Sequence, residues 1–136
     1  SVTATPRIQV ETPEASEGET FLVRRTLRSG QRITYGGNVV VLGDINPGAE
    51  VVAGGDIVIV GSLRGVAHAG TPANRGALVV ALRFMPTQLR IADVIARSPD
   101  GEHRTPRNPE MARIKDDKIV IEAYSGRRAE FEEELT

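Results

Sequence analysis

The stretch SGQRITYGGNVVVLG (29–43) is followed by PGAEVVAGGDIVIVG (47–61), and the two copies align position for position, eighteen residues apart. A fixed period of this size is typical of a solenoid. Within it, an aliphatic residue recurs every six positions: Leu27, Ile33, Val39, Ile45, Val51, Ile57 and Leu63. Because a strand rises about 3.3 Å per residue, six residues form one short strand and a corner. Three such strands would close a triangular coil, so the stretch predicts a three-sided β-helix.

The recurring aliphatic side chains are predicted to point into this coil and form its core. Burying each one contributes roughly 1.5–3 kcal/mol. Small or polar residues stand two positions earlier and allow tight corners, as Gly37 and Gly55 show. A helix is excluded because each glycine in its interior would cost about 1 kcal/mol. We therefore expect an all-β fold with about eighteen residues per coil.

The composition indicates one domain and excludes several classes of function. The chain has 136 residues, no cysteine and a net charge of −1. Without cysteine there is no disulfide framework and no thiolate metal site, which favours a reducing cytoplasm. The near-neutral charge and scarce aromatic residues argue against a nucleic-acid partner. No apolar run approaches the length of a membrane span, and because the sequence begins at Ser1 without methionine, we expect a domain of a longer protein.

The chain divides by composition into three parts. Residues 1–19 are rich in Pro, Thr, Glu and Ser, which predicts a flexible interdomain linker. Residues 20–124 hold the β-helix, whose open end the apolar run Phe21–Val23 would cover. At the far end, residues 111–124 predict a capping hairpin that turns on Asp116 and Asp117. The charged tail, residues 125–136, is expected to be disordered.

One side of the predicted helix is apolar on both faces of its strands. If the aliphatic residues that recur every six positions point inward, the alternate residues on this side form an outward apolar stripe: Val40, Leu42, Val58 and Val60. The period breaks at 71–76, which indicates a loop insertion at a corner. Residues 77–82 then resume the same side and add Val79 and Ala81 to the predicted stripe. Such a patch usually marks an interface, so we expect homodimerisation, with cover by the C-terminal segment as the alternative.

The sequence offers little for catalysis. His68 and His103 are the only histidines, and no cysteine accompanies them as a zinc ligand. Asp116 and Asp117 are explained by a turn. The paired glycines occupy corners and lack the lysine and helix of a phosphate-binding loop. We therefore predict a protein that is not an enzyme and that holds no cofactor or metal of its own.

A polar cluster at one predicted corner is the better candidate for function. Arg28, Ser29, Gly30 and Gln31 stand at the first complete coil, and Arg64 and Gly65 lie two coils further along the same edge. Equivalent positions in successive coils are about 4.8 Å apart, which places the two arginines roughly 10 Å from each other. The cluster forms a small cationic patch of the type used in partner recognition, although ordinary surface decoration would look similar.

These residues also carry a resemblance. The motif Arg28-Ser-Gly-Gln31, the repeat at 48–57, the motif Arg64-Gly-Val-Ala-His-Ala-Gly70 and the final hairpin occur in the order found in the C-terminal domain of the septum-site-determining protein MinC. The sequence resembles this family from Thr26 to Tyr124. The resemblance implies a right-handed, three-sided parallel β-helix that dimerises through an apolar side.

The resemblance also implies a partner and a role. The RSGQ motif of the family is associated with binding the membrane-associated ATPase MinD, and it falls on residues 28–31 without substitution. ATP would belong to MinD. The domain would be recruited from the bacterial cytoplasm to the inner face of the membrane, reaching the membrane only through MinD. Blocking of FtsZ ring assembly would depend mainly on the family's N-terminal domain, and residues 1–19 would be the linker to it.

Two other classes of β-helix remain as alternatives. Acyltransferases of the left-handed type share hexad periodicity, but in this chain the inward aliphatic is seldom followed by a small residue, as Arg28 and Val40 show. A self-assembling cytoskeletal scaffold resembling the bactofilins is the closer rival. Stacking end to end would require uncapped terminal coils, whereas this chain is predicted to cap both ends.

Overall fold

The computed structural model describes residues 8–10, 18–97 and 108–124, and within these ranges it contains twelve β-strands and no helix. The strands are β1 Ile8–Gln9, β2 Thr20–Val23, β3 Gln31–Tyr35, β4 Asn38–Val41, β5 Glu50–Ala53, β6 Ile57–Leu63, β7 Val66–Ala69, β8 Val79–Phe84, β9 Gln88–Ile91, β10 Val94–Arg97, β11 Glu110–Lys115 and β12 Lys118–Ala123. No helix in this part of the chain could therefore cross a membrane.

The strands wind into a three-sided parallel β-helix, as predicted. Side A is the sheet β1-β3-β5-β7-β9-β10, and side B is the sheet β2-β4-β6-β8-β11-β12. Side C has no long strands and is joined by the parallel bridges Leu27–Ile45 and Ile45–Leu63. The chain visits the three sides in turn, so each complete coil adds one strand to sides A and B.

The core is the column of aliphatic side chains inside the triangle. All seven residues of the six-residue period are fully buried: Leu27, Ile33, Val39, Ile45, Val51, Ile57 and Leu63. Each lies beside its counterpart in the next coil, as in the pairs Ile33–Val51 and Val39–Ile57. The predicted core is therefore confirmed, and Phe84 and Ile91 extend it into later coils.

Polar side chains hold the corners of successive coils together. On the corner between sides B and C, Thr26 Oγ1 accepts a hydrogen bond from Asp44 N (3.1 Å), and Asp44 Oδ1 accepts one from Ser62 N (2.8 Å). On the corner between sides A and B, Asn38 Oδ1 accepts from Asp56 N (2.8 Å). Each bond joins residues eighteen positions apart, so one coil satisfies amides of the next.

The third coil departs from the period, and this corrects one prediction. Ile57 pairs with Val79, four residues later than an eighteen-residue spacing requires, because residues 70–78 form a longer connection. Val79 and Ala81, expected on the outward stripe, are instead fully buried in the core. The outward positions on β8 are Val80 and Leu82, because neighbouring strand residues point to opposite faces.

Antiparallel strands close the far end of the helix. β10 pairs with β9 on side A, and β11 pairs with β8 and then with β12 on side B. The predicted hairpin turn at Asp116 and Asp117 is confirmed, with positive φ at both residues. Arg75 Nε lies 3.1 Å from Asp93 Oδ1, and Arg75 Nη1 lies 2.8 Å from Asp117 Oδ1. The inserted loop is thus tied to both terminal hairpins.

The N-terminal end differs from the predicted linker. β2 enters the first coil beside β4, as expected. However, Ile8–Gln9 also forms a strand and pairs in parallel with β3, although residues 1–19 were predicted to be flexible. The rest of that prediction, at residues 1–7 and 11–17, lies outside the described residues. So do His103 and the predicted disordered tail, residues 125–136.

Candidate functional site

A tight turn joins side C to side A in the first coil and carries the RSGQ residues. Gln31 N donates to Arg28 O (2.9 Å), and Arg28 N donates to Gln31 Oε1 (2.9 Å). Gly30 has a φ of 87°, a backbone angle that residues with a Cβ rarely adopt. With its backbone closed in this way, the turn leaves the side chains of Arg28 and Ser29 exposed.

The second coil repeats this turn directly beside the first. Ala49 N donates to Asn46 O (2.9 Å), Gly48 has a φ of 88°, and Gly30 N donates to Gly48 O (3.0 Å). A Cβ at Gly48 would overlap Ser29 Oγ, so the two turns lie in close contact. Pro at the second position and Gly at the third favour this turn. The candidate site therefore stands on a stiff backbone support.

The third coil shortens the same corner. Val51 pairs with Ala67, two residues earlier than the period requires, so Arg64 and Gly65 replace the four-residue turn. Gly65 is buried, and a Cβ there would collide with backbone oxygens of Asn46 and Ala49. Its role in the structure is to let the corner close, and it offers no side chain to a partner.

The structure brings the remaining predicted site residues to one corner. The bridges Leu27–Ile45 and Ile45–Leu63 place Arg28 and Arg64 on the same edge, two coils apart, at a backbone spacing of about 10 Å. Arg28, Ser29 and Arg64 are exposed, and Gly30 and Gln31 are partly buried. The arrangement presents two guanidinium groups with a hydroxyl and an amide beside them. This is suited to binding an acidic or polar protein surface.

Arg83 adds an exposed arginine at the neighbouring corner and was missed from the sequence. It pairs with Ser62, and Arg83 Nε donates to Ser62 Oγ (2.8 Å), which places it at the corner between sides B and C, one coil beyond Arg64. Asp44 lies at the same corner, where its carboxylate accepts from Ser62 N. The sequence signal for Arg83 was hidden because the longer connection at 70–78 shifts its register.

Side A carries a second polar group around His68. His68 Nε2 donates to Ala92 O (3.2 Å), and Arg32 Nε lies 3.7 Å from Glu50 Oε1. Burial lowers the pKa of His68, and the charges of Arg90 and Arg32 act in the same direction against the opposing effects of the Ala92 hydrogen bond and Glu50. His68 is thus favoured as a neutral packing residue of the side A wall. Among the described residues, no cluster of His, Asp and Glu has the geometry of a metal site.

The outer face of side B is the apolar wall. Its first row has one residue from each of five neighbouring strands, and each residue pairs with the next: Leu22, Val40, Val58, Val80 and Met111. Its second row consists of Leu42, Val60 and Leu82, which are 44%, 43% and 45% exposed. The predicted outward orientation of Val40, Leu42, Val58 and Val60 is confirmed. The wall is longer than predicted, because Leu22, Val80 and Leu82 belong to it, while Met111 continues its first row as a buried residue.

Comparison with known proteins shows which family this chain belongs to. The family described as "Septum formation inhibitor MinC, C-terminal domain" matches residues 21–124. The probable septum site-determining protein MinC of Symbiobacterium thermophilum is 52% identical over 132 residues, covering 90% of this chain and 57% of the relative. The corresponding protein of Heliobacterium modesticaldum is 55% identical over 111 residues, covering 82% and 38%. The chain thus spans about half the length of the curated relatives it matches.

A solved structure is similar throughout the β-helix. It is a chain from the "MinC:MinD cell division protein complex" of Aquifex aeolicus, with a TM-score of 0.76 and 39% sequence identity. The match covers 86% of the present chain and 96% of that chain. The fold and the sequence therefore point to the same relatives.

Proposed function

Because this chain belongs to the MinC C-terminal domain family of septum-site regulators, we propose that it is a non-catalytic adaptor that binds the ATPase MinD through the Arg28–Gln31 corner. MinD would bring it from the bacterial cytoplasm to the inner face of the membrane. The chain itself holds no cofactor in this proposal, since ATP is bound by MinD. Its contribution to cell division is then the placement of a division inhibitor.

The exposed RSGQ turn is the observation that carries this proposal. Its backbone is closed at both ends and rests on the next coil, so Arg28 and Ser29 are held in place before any partner arrives. Binding to a prepared surface loses less entropy than binding to a flexible loop. A chain 39% identical to this one comes from a complex with MinD, which supports MinD as the partner.

The apolar wall supports a two-fold homodimer. A second copy of the same wall would cover Leu42, Val60 and Leu82, each of which is more than two fifths exposed. A two-fold interface uses one self-complementary patch, and the wall lies on a different side from the MinD corner. The dimer would therefore display two corners, which raises avidity for MinD on a membrane.

Inhibition of FtsZ ring assembly is proposed for the longer relatives, of which this chain spans about half. In them the β-helix would localise and dimerise the inhibitor, while contact with FtsZ would be made mainly by the N-terminal domain. The bactofilin-like scaffold is the weaker alternative. Antiparallel β10, β11 and β12 at the far end disfavour the parallel end-to-end stacking that such a scaffold needs.

Co-sedimentation with MinD and lipid vesicles, with ATP or ADP, tests the proposal. Arg28→Ala should reduce ATP-dependent recruitment by about tenfold or more, because a hydrogen bond to a charged group is lost. Arg97→Ala is the matched control, since Arg97 is an exposed arginine on side A at the far end of the helix. If the parent protein stays folded and does not sediment with MinD, the proposed function is wrong for this chain.

A further inference from the structure

β1 docks onto the candidate MinD-binding turn. Ile8 N donates to Gly30 O (2.9 Å), and Val10 N donates to Arg32 O (2.8 Å). Val10 packs against the core, whereas Ile8 is 66% exposed. The contact of Ile8 with the helix is therefore made mainly by its backbone.

One peptide group connects this docking to the shape of the turn. The peptide between Gly30 and Gln31 accepts from Ile8 N through its carbonyl oxygen, and it donates to Arg28 O through its N–H. A peptide group is planar, so fixing its carbonyl also fixes its N–H. The hydrogen bond from Ile8 thus stabilises the bond that closes the RSGQ turn.

The docked segment is small enough to detach. It is a two-residue strand at the edge of side A whose contacts include the bonds from Ile8 N and Val10 N and one partly buried valine, and each such contact contributes little net free energy. Short, exposed strands of this type open locally without unfolding the domain. Docked and undocked states should therefore both be accessible.

We propose that Ile8–Val10 is a positioning segment that docks reversibly on β3 and thereby pre-organises the Arg28–Gln31 turn for MinD. This rests on the proposed function. The turn closes through its own bonds and its contact with the second coil, and the docked state adds a further bond to its Gly30–Gln31 peptide, so MinD would bind that state more tightly. By linkage, MinD binding would in turn favour docking of Ile8–Val10.

A matched pair of substitutions at Ile8 isolates the backbone bond. Ile8→Pro removes the N–H that donates to Gly30, whereas Ile8→Ala removes most of the exposed side chain and keeps the N–H. Deletion of residues 1–10 provides a second variant. Each protein is compared with the parent for MinD affinity in ATP, for melting temperature, and for amide hydrogen exchange at Gln31 without MinD.

The proposal expects Ile8→Pro and the deletion to weaken MinD binding by about twofold to tenfold, with faster Gln31 exchange and a domain that still unfolds in a cooperative thermal transition. Ile8→Ala should match the parent, and MinD should slow exchange at Val10. Equal affinity in all variants, or tighter binding after the deletion, would overturn the proposal. If even the parent fails to bind MinD, the proposed function fails, and the Gln31 exchange rate alone decides whether β1 stabilises the turn.

Discussion

Leu82 lies on the apolar wall and is 45% exposed, so Leu82→Asp should separate the protomers of the proposed dimer without unfolding either one. The neighbouring Ala81 is fully buried, and Ala81→Asp should unfold the domain instead. An unpaired carboxylate in the core costs several kcal/mol. The two substitutions together test both the interface and the register of β8.

The exposure of the wall sets the size of the effect. Its four most exposed residues are Leu22, Leu42, Val60 and Leu82, at 43–45%. Burying a whole side chain contributes about 1.5–3 kcal/mol, so covering the exposed part contributes about 0.7–1.3 kcal/mol for each. Counted twice in a two-fold interface, the four contribute roughly 5–10 kcal/mol before the cost of association.

Leu82→Asp removes about a quarter of this contribution and buries two carboxylates in an apolar contact. Together these effects amount to at least about 3 kcal/mol, so the dissociation constant of the dimer should rise more than about a hundredfold. Sedimentation velocity over a concentration series measures that constant, and thermal unfolding checks the fold.

Ile95→Asp is the matched control. Ile95 is an apolar residue of similar exposure, 47%, but it lies on β10 of side A. It should leave the dissociation constant unchanged. If Leu82→Asp dimerises as the parent does, the apolar wall is not the dimer interface. A folded Ala81→Asp protein that fails to dimerise would show that the register given for β8 is wrong.

Two further substitutions test the corner ladder and the polar wall of side A. Asp44→Ala should lower the free energy of unfolding by about 1–3 kcal/mol, because it leaves the N–H of the buried Ser62 without its acceptor. Asp44→Asn is the control, since it keeps an oxygen at that position. Urea denaturation measures both variants, and equal losses of stability would contradict the role of that bond. His68→Gln should reduce the loss of stability on acidification. The pKa of His68 is lowered in the folded protein, so the unfolded chain takes up a proton first as pH falls through about 6.5. Urea denaturation at about pH 7.5 and pH 5 measures this loss, and equal losses for the parent and the variant would show that His68 does not contribute.

The core of the fold followed from the sequence because it depends on a strict local period. Ile33, Val39, Ile45 and Val51 recur at six-residue steps, and a strand turns alternate residues to one face. The outward orientation of Val40 and Val58 followed from the same alternation. The RSGQ turn was recognisable because its glycine and its repeat one coil later mark a corner.

Other features depended on information that no local pattern holds. Val79 and Ala81 were placed on the wrong face because the length of the connection at 70–78 sets their register, and an error of one residue reverses every side chain. Gly65 was noticed as part of a motif, but its burial follows from the shortened corner. Ile8–Gln9 lacks any periodicity, and only tertiary pairing with β3 makes it a strand.

The irregular third coil has a consequence for how the chain finds its fold. The first two coils are nearly interchangeable, since Ile33 and Val51 are both aliphatic and stack in the same column. A nascent chain that slipped by one whole coil would therefore still bury aliphatic against aliphatic. The short corner at Arg64 and the long connection at 70–78 fit only one position in the stack. These two irregular connections raise the free energy of every slipped arrangement above that of the native one. The departures from the repeat therefore determine its register.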